Sequence, residues 1–181
     1  MLKKDLQESS KSLLKINRVC KFINLVFKLI LFVFSIYWLI AIGAMVFEST
    51  SFEKTQQISG VSAFQILLYA LHGVVIALLI ILLICIFSDA TKGESPFTMS
   101  QVKRLRMIAG LLLAYAILDF LITQNNALLN YGQLDAGYIS TSDSSIIQVN
   151  FGPLILAGAV FAFSFVFKYG VLLQEFSDET L

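Results

Sequence analysis

Four long apolar runs divide the chain, and their lengths predict four membrane-spanning helices. The first, residues 29–47, contains no formal charge, and at about 1.5 Å per residue it covers a hydrocarbon core of about 30 Å. The others occupy residues 61–87, 107–123 and, beginning at Phe151, the segment up to about residue 167. Because lipid offers no partner to free backbone polar groups, runs of this length favour helices over the strands of a membrane barrel.

The distribution of basic residues predicts the orientation of these helices. Seven lysines and arginines precede the first run, four lie between the second and third, and one follows the fourth, whereas the opposite side carries Lys54 alone. Basic residues near span ends are retained in the cytoplasm, so we expect both termini to be cytoplasmic. The first run is longer than the apolar core of a signal peptide and no convincing cleavage site follows it, which favours an uncleaved anchor.

These patterns predict an all-α, multi-pass membrane protein of one domain, residues 1–181, with four transmembrane helices in a bundle. The predicted segments are a cytoplasmic amphipathic helix at 1–21, transmembrane helices at 22–47, 61–87, 107–123 and 151–172, outer loops at 48–60 and 124–150, a cytoplasmic loop at 88–106 and a cytoplasmic tail at 173–181.

Composition narrows the function classes. With 57% hydrophobic residues, 14% charged residues and a mean hydropathy of +0.82, the chain is too apolar for a soluble globular domain. A net charge of +1 provides no basic excess for direct binding to nucleic acid. Its two cysteines have no metal-ligand spacing, and no nucleophile and base pair is evident. We therefore expect neither an enzyme nor a bound cofactor.

The N-terminal residues form an amphipathic pattern. On a helix at 100° per residue, the apolar residues of 2–21 share one arc and Lys4, Lys11, Lys15 and Arg18 lie on the opposite one. This pattern is typical of a helix lying on an anionic membrane surface. It equally suits a helix that docks a cytoplasmic protein, and both interpretations stay open.

A helix-start motif precedes the third apolar run. Thr98 as N-cap with Gln101 three positions later forms a capping box, and Phe97 is placed for a hydrophobic staple. Gly93 and Pro96 supply the preceding turn. The motif predicts how the third helix begins, and we favour this structural role over a ligand site.

Ionisable side chains inside the membrane are costly, so each requires an explanation. Lys28 and Lys168 lie near the cytoplasmic boundary, where long side chains reach the headgroups. His72 and Asp119 lie within about one helical turn of each other in depth. They form a candidate intramembrane polar pair, either a proton-sensing or ion-conducting element or a structural contact.

Two stretches of the chain resemble the bacterial family called domain of unknown function 2975. One is segment 93–98 leading to residues 104–110, and the other combines residues 151–154 with the ending at 169–181. The resemblance extends over essentially the whole chain. Departures from the family pattern are Gln101, where Asn is usual, and Phe176 and Glu179 in the tail.

The resemblance implies a four-helix protein of the bacterial inner membrane with no established activity, whose gene often lies beside one for a very small helix-turn-helix DNA-binding protein. That pairing suggests a regulator held at the membrane or released from it. A cytoplasmic surface of mixed charge suits such a partner. It comprises Lys4, Lys11, Lys15, Arg18, Arg104, Arg106, Gln174, Glu175 and Asp178.

The leading hypothesis is thus a non-enzymatic membrane sensor or anchor whose partners are the lipid bilayer and a small helix-turn-helix regulator. The alternative is a small transporter, channel or immunity-type protein with His72 and Asp119 lining the path. Self-association of the chain stays open under both hypotheses.

Overall fold

The computed structural model describes residues 2–51, 62–92, 98–132 and 150–179, with side chains at 17–49, 62–92, 98–124, 150–177 and Glu179. It contains four α-helices, which we number α1 (Leu2–Ser51), α2 (Ala63–Thr91), α3 (Met99–Gly132) and α4 (Gly152–Glu179). Each includes a segment long and apolar enough to cross a membrane, namely Asn17–Ser49, Ala63–Thr91, Met99–Gln124 and Gly152–Ser177. The prediction of an all-helical membrane protein with four candidate spans is confirmed.

Every helix extends past at least one end of its predicted span. In α1 the predicted amphipathic segment 1–21 and the span 22–47 belong to one uninterrupted helix, since neither proline nor glycine occurs between residues 2 and 42. The side chains of residues 2–16 lie outside those described, so their position relative to a membrane surface stays a prediction. α3 begins at Met99 rather than 107 and continues to Gly132. Apolar length measures the part of a helix that lies in lipid, whereas a helix ends where its backbone is capped.

Hydroxyl side chains cap the described beginnings of α2 and α3. Ser62 Oγ accepts a hydrogen bond from the Gln65 backbone N–H at 3.2 Å. Thr98 Oγ1 accepts one from the Gln101 backbone N–H at 3.4 Å. Each bond satisfies one of the backbone donors that a helix start leaves unpaired.

We expect Thr98→Ala to lower the free energy of unfolding by about 1 kcal/mol, because the substitution removes the oxygen that caps α3. Thr98→Ser keeps that oxygen and should retain wild-type stability. The measurement is an unfolding titration with SDS in mild detergent, followed by circular dichroism. Equal losses in both variants would contradict a capping role.

The helices pack in chain order. α1 packs on α2, α2 on α3 and α3 on α4, and among the described residues no other pair of helices has Cα atoms within 8 Å. The predicted bundle is therefore open, with α1 and α4 at its two edges. Burial agrees, because no described side chain of α1 is buried. The buried apolar residues lie on the other helices: Leu68, Val102, Ile108, Ala109, Ile122, Ala157 and Val171.

Aromatic contacts fix the register between neighbouring helices. Phe27 of α1 stacks on Phe87 of α2, with ring centroids 5.7 Å apart. The Arg106 guanidinium of α3 lies 5.6 Å from the ring centroid of Phe165 in α4. α2 ends one turn after Phe87, so the part of α1 before about residue 23 extends beyond α2. α3 begins two turns before Arg106, so the part of α4 after about residue 172 extends beyond α3.

We call this side of the array the basic end. It comprises the N-terminal parts of α1 and α3 and the C-terminal parts of α2 and α4, together with the segment that joins α2 to α3. Every lysine and arginine of the chain except Lys54 belongs to it.

Candidate functional site

The first candidate site lies between α2 and α3 inside the apolar part of the array. The ring of His72 contacts the ring of Tyr115, with centroids 4.7 Å apart and planes tilted by 40°. His72 Nε2 is buried and has no hydrogen-bond partner. Asp119, half-buried, follows Tyr115 by one turn on α3. Among the described residues no N–O distance within 4 Å joins His72 to Asp119.

The structure thus brings the two predicted residues to the same helix interface, with Tyr115 as the direct neighbour of His72. Sequence reasoning missed Tyr115, although its i, i+4 spacing from Asp119 already placed both on one face of α3. A buried ring nitrogen without a partner costs free energy, and it can exchange a hydrogen bond with a polar solute or water.

A second cluster lies at the basic end, where α2 meets α3. Asp89, in the last turn of α2, accepts a short hydrogen bond from Arg104 and a second one, at 3.3 Å, from Gln101 Nε2. Arg104 also donates to the carbonyl oxygen of Cys85 at 3.2 Å. Lys92 Nζ lies 3.7 Å from the other carboxylate oxygen of Asp89. The cluster ties the last two turns of α2 to the first two turns of α3.

Helix electrostatics explain why Asp89 needs these partners. A carboxylate near the C-terminus of a helix is opposed by the partial negative charge of that end. The side chains of Arg104 and Asp89 are only 23% and 14% exposed, so water screens this repulsion weakly. The guanidinium of Arg104 compensates both the carboxylate and the unpaired carbonyls of α2.

Two predicted roles change in this cluster. Arg104, expected on a partner surface, points to Asp89 and is half-buried. Gln101, expected to complete the capping box, is buried; its amide donates to Asp89, and its Oε1 has no partner. A charged carboxylate is a stronger acceptor than a side-chain amide is a cap, which accounts for this choice. Gly93, Pro96 and Phe97 of the predicted motif lie outside the described residues.

Asp89 is the residue that sequence reasoning missed. The available signal was its position as the first acid after a 27-residue apolar run, in a loop otherwise dominated by basic residues. Such an acid, close to a membrane boundary, needs a cationic partner.

The remaining partner-surface residues occupy two separate places. Arg18 is exposed on the part of α1 that extends beyond α2, and Glu175 is exposed on the part of α4 that extends beyond α3. Gln174 is exposed beside Glu175, and Arg106 is exposed beside Phe165. Because α1 and α4 do not touch, the basic and acidic members lie at opposite edges of the basic end. The side chains of Lys4, Lys11, Lys15 and Asp178 lie outside those described.

Within the described ranges, no three histidine, cysteine, aspartate or glutamate side chains come together to hold a metal ion. An apolar groove of about 420 Å³ runs along α1 and is lined by Leu29, Ile30, Val33, Phe34 and Tyr37. A groove of this lining suits a lipid acyl chain rather than a polar substrate.

The arrangement is therefore that of an open array of four apolar helices with an unpartnered histidine in its interior, an ion-paired joint between α2 and α3, and charged helical extensions at one end. Comparison with known proteins adds no relative: no protein-family model matches the chain, and neither a curated protein nor a solved structure does.

Proposed function

We propose that the protein is a non-enzymatic, multi-pass inner-membrane anchor or sensor that binds a small cytoplasmic regulator of the helix-turn-helix class. The observation that carries the proposal is the pair of charged helical extensions at the basic end. α1 continues about 22 residues beyond the end of α2, a rise of more than about 30 Å, and α4 continues about two turns beyond the start of α3. Neither length is needed to cross a bilayer.

The charges of the two extensions differ. The sequence of the α1 extension carries six lysines and arginines against two acids, whereas the α4 extension and the last residues of the chain carry Glu175, Asp178 and Glu179 and no basic residue. The two extensions flank the joint between α2 and α3, because α1 and α4 are the edges of the array. A partner lying across that joint meets a basic helix on one side and an acidic helix on the other.

A small DNA-binding protein suits the acidic side of this arrangement. Its DNA-contacting surface is basic, so an acidic helix end that holds this surface also blocks access to DNA. Release of the regulator from the membrane protein then restores DNA binding. The resemblance to the domain of unknown function 2975 family, with its gene neighbour, supports the same partner class. The cytoplasmic placement of the basic end follows from the retention of basic residues on that side.

The test is in-cell crosslinking and mild-detergent purification of the tagged full-length protein, with mass spectrometry of the co-purifying proteins. We expect a small helix-turn-helix protein in the wild-type sample. The double variant Glu175→Lys and Glu179→Lys should recover about tenfold less of it, since two charge reversals turn attraction into repulsion at an interface rim. Truncation should begin after Leu173, because Val171 is only 4% exposed and supports α4.

Glu48→Lys is the matched control, because Glu48 is an exposed acid at the opposite end of α1. It should leave recovery of the regulator unchanged. Purification of the protein alone, or only with copies of itself, would contradict the proposal. An equal loss in the Glu48 variant would point to nonspecific charge effects.

A small transporter or channel is the second candidate, favoured by the buried, unpartnered Nε2 of His72 beside Tyr115. This function predicts that His72→Ala abolishes solute or proton flux into proteoliposomes while regulator recovery is unaffected. Asp119→Asn should reduce the flux too, because Asp119 lies one turn from Tyr115 on the same face of α3. Unchanged flux in both variants would leave the site a structural contact.

A further inference from the structure

We propose that the outer face of α3 and α4 at the basic end binds one anionic phospholipid, whose phosphate is held by Lys103, Arg106 and Lys168. This inference is independent of whether a regulator binds.

The contact between Arg106 and Phe165 brings the three cations to one face. It places the exposed side of α3 at this level against the exposed side of α4. Lys103 precedes Arg106 by one turn, and Lys168 follows Phe165 by one turn. Because α3 and α4 run antiparallel, both lysines lie on the same side of the Arg106 contact, nearer the end of the array. All three basic side chains are exposed.

No acid neutralises these three cations. On α3 and α4 the nearest described carboxylates are Glu175, seven residues from Lys168, and Asp119, thirteen residues from Arg106. Those separations correspond to about 10 Å and about 20 Å along the helices, beyond the screening length at physiological ionic strength. Asp89 is occupied by Arg104 and Lys92. Within the described residues, none of the three cations forms an ion pair.

The surface beyond the cations distinguishes a lipid from a free anion. Gly110, Leu113 and Ile117 continue the face of Arg106 along α3 at helical spacing. The two larger side chains are 46% and 54% exposed, and a Cβ at Gly110 would meet nothing within 4 Å. This strip is open, apolar and about 16 Å long from Arg106 to Ile117. A phospholipid places its phosphate on the cations and one acyl chain along the strip, whereas inorganic phosphate uses the cations only.

The test is native mass spectrometry of the purified full-length protein in mild detergent, titrated with phosphatidylglycerol or with phosphatidylcholine. Wild type should bind phosphatidylglycerol preferentially, and excess inorganic phosphate should not displace it. The triple variant Lys103→Gln, Arg106→Gln and Lys168→Gln should weaken binding about a hundredfold, since each basic residue near an anionic headgroup contributes a factor of about five. Circular dichroism and thermal melting verify that the variant folds.

The matched control removes three exposed cations from α1 at the same end of the array: Arg18→Gln, Lys21→Gln and Lys28→Gln. It should keep the phosphatidylglycerol preference. Equal losses in the two triple variants would overturn the site in favour of diffuse attraction, as would a wild type without lipid preference. Displacement by inorganic phosphate would show an anion site instead. If the triple variant does not fold, Gly110→Phe decides, because it fills the acyl strip while leaving the cations in place and should still weaken binding several-fold; wild-type binding in that variant would overturn the proposal.

Discussion

Gly73→Ala is expected to lower the free energy of unfolding by about 2 kcal/mol, because a Cβ at this position would overlap the indole ring of Trp38. Gly73 is buried where α1 crosses α2, and Trp38 Nε1 donates a hydrogen bond to the carbonyl oxygen of Tyr69 at 3.4 Å. To make room, the indole has to rotate away and lose both this bond and its packing. The gain in helix propensity from glycine to alanine, about 1 kcal/mol, offsets only part of that loss.

Trp38 also supplies the measurement. It is the only tryptophan of the chain, so its fluorescence reports directly on the contact between α1 and α2. SDS unfolding followed by fluorescence and circular dichroism should show a lower midpoint for Gly73→Ala and a shifted emission maximum before unfolding.

Gly110→Ala is the matched control, because a Cβ at Gly110 meets nothing within 4 Å. This substitution should leave stability unchanged or raise it by less than about 1 kcal/mol. Combining Gly73→Ala with Trp38→Ala should cost less than the sum of the two single substitutions, since both act on one contact. Similar losses at Gly73 and Gly110 would show that helix packing on Trp38 is not the cause.

Arg104→Met is expected to destabilise the protein by about 2–3 kcal/mol, because it leaves the Asp89 carboxylate without its main cationic partner in a site only 14% exposed. Breaking a fully buried pair costs about 3–5 kcal/mol, and the remaining exposure of both side chains reduces that figure here. The Gln101 amide and the Cys85 carbonyl oxygen each lose a partner of the same cluster. The measurement is the free energy of unfolding in mild detergent.

Lys92→Met is the control for Arg104→Met, since its ammonium lies 3.7 Å from Asp89 and its side chain is 62% exposed. An exposed pair of this kind contributes less than about 1 kcal/mol. The double variant Asp89→Leu and Arg104→Met should recover much of the lost stability, because it removes both poorly hydrated charges together. Equal effects of Arg104→Met and Lys92→Met would contradict the structural role assigned to the pair.

Local signals account for the elements that were predicted correctly. Each apolar run became a helix because lipid-compatible backbone has to satisfy its own hydrogen bonds within the segment. The start of α3 at Thr98 followed from side-chain capping chemistry confined to four residues. The helix ends were predicted too short, as at Met99 and Gly132, because hydropathy measures contact with lipid and does not record whether a polar turn continues the helix.

The sequence by itself determined that the chain is all-helical, that four helices are long enough to span a membrane, and that charge is concentrated at one end. Tertiary structure alone decided which faces meet: Trp38 with Gly73, His72 with Tyr115, and Arg104 with Asp89. It also decided that α1 and α4 lie apart, which separates the predicted mixed-charge surface into two. The physical reason is that a helix made apolar on all sides for lipid has no polar face to mark its neighbour, so partners are selected by shape, by small residues and by isolated polar groups distant in sequence.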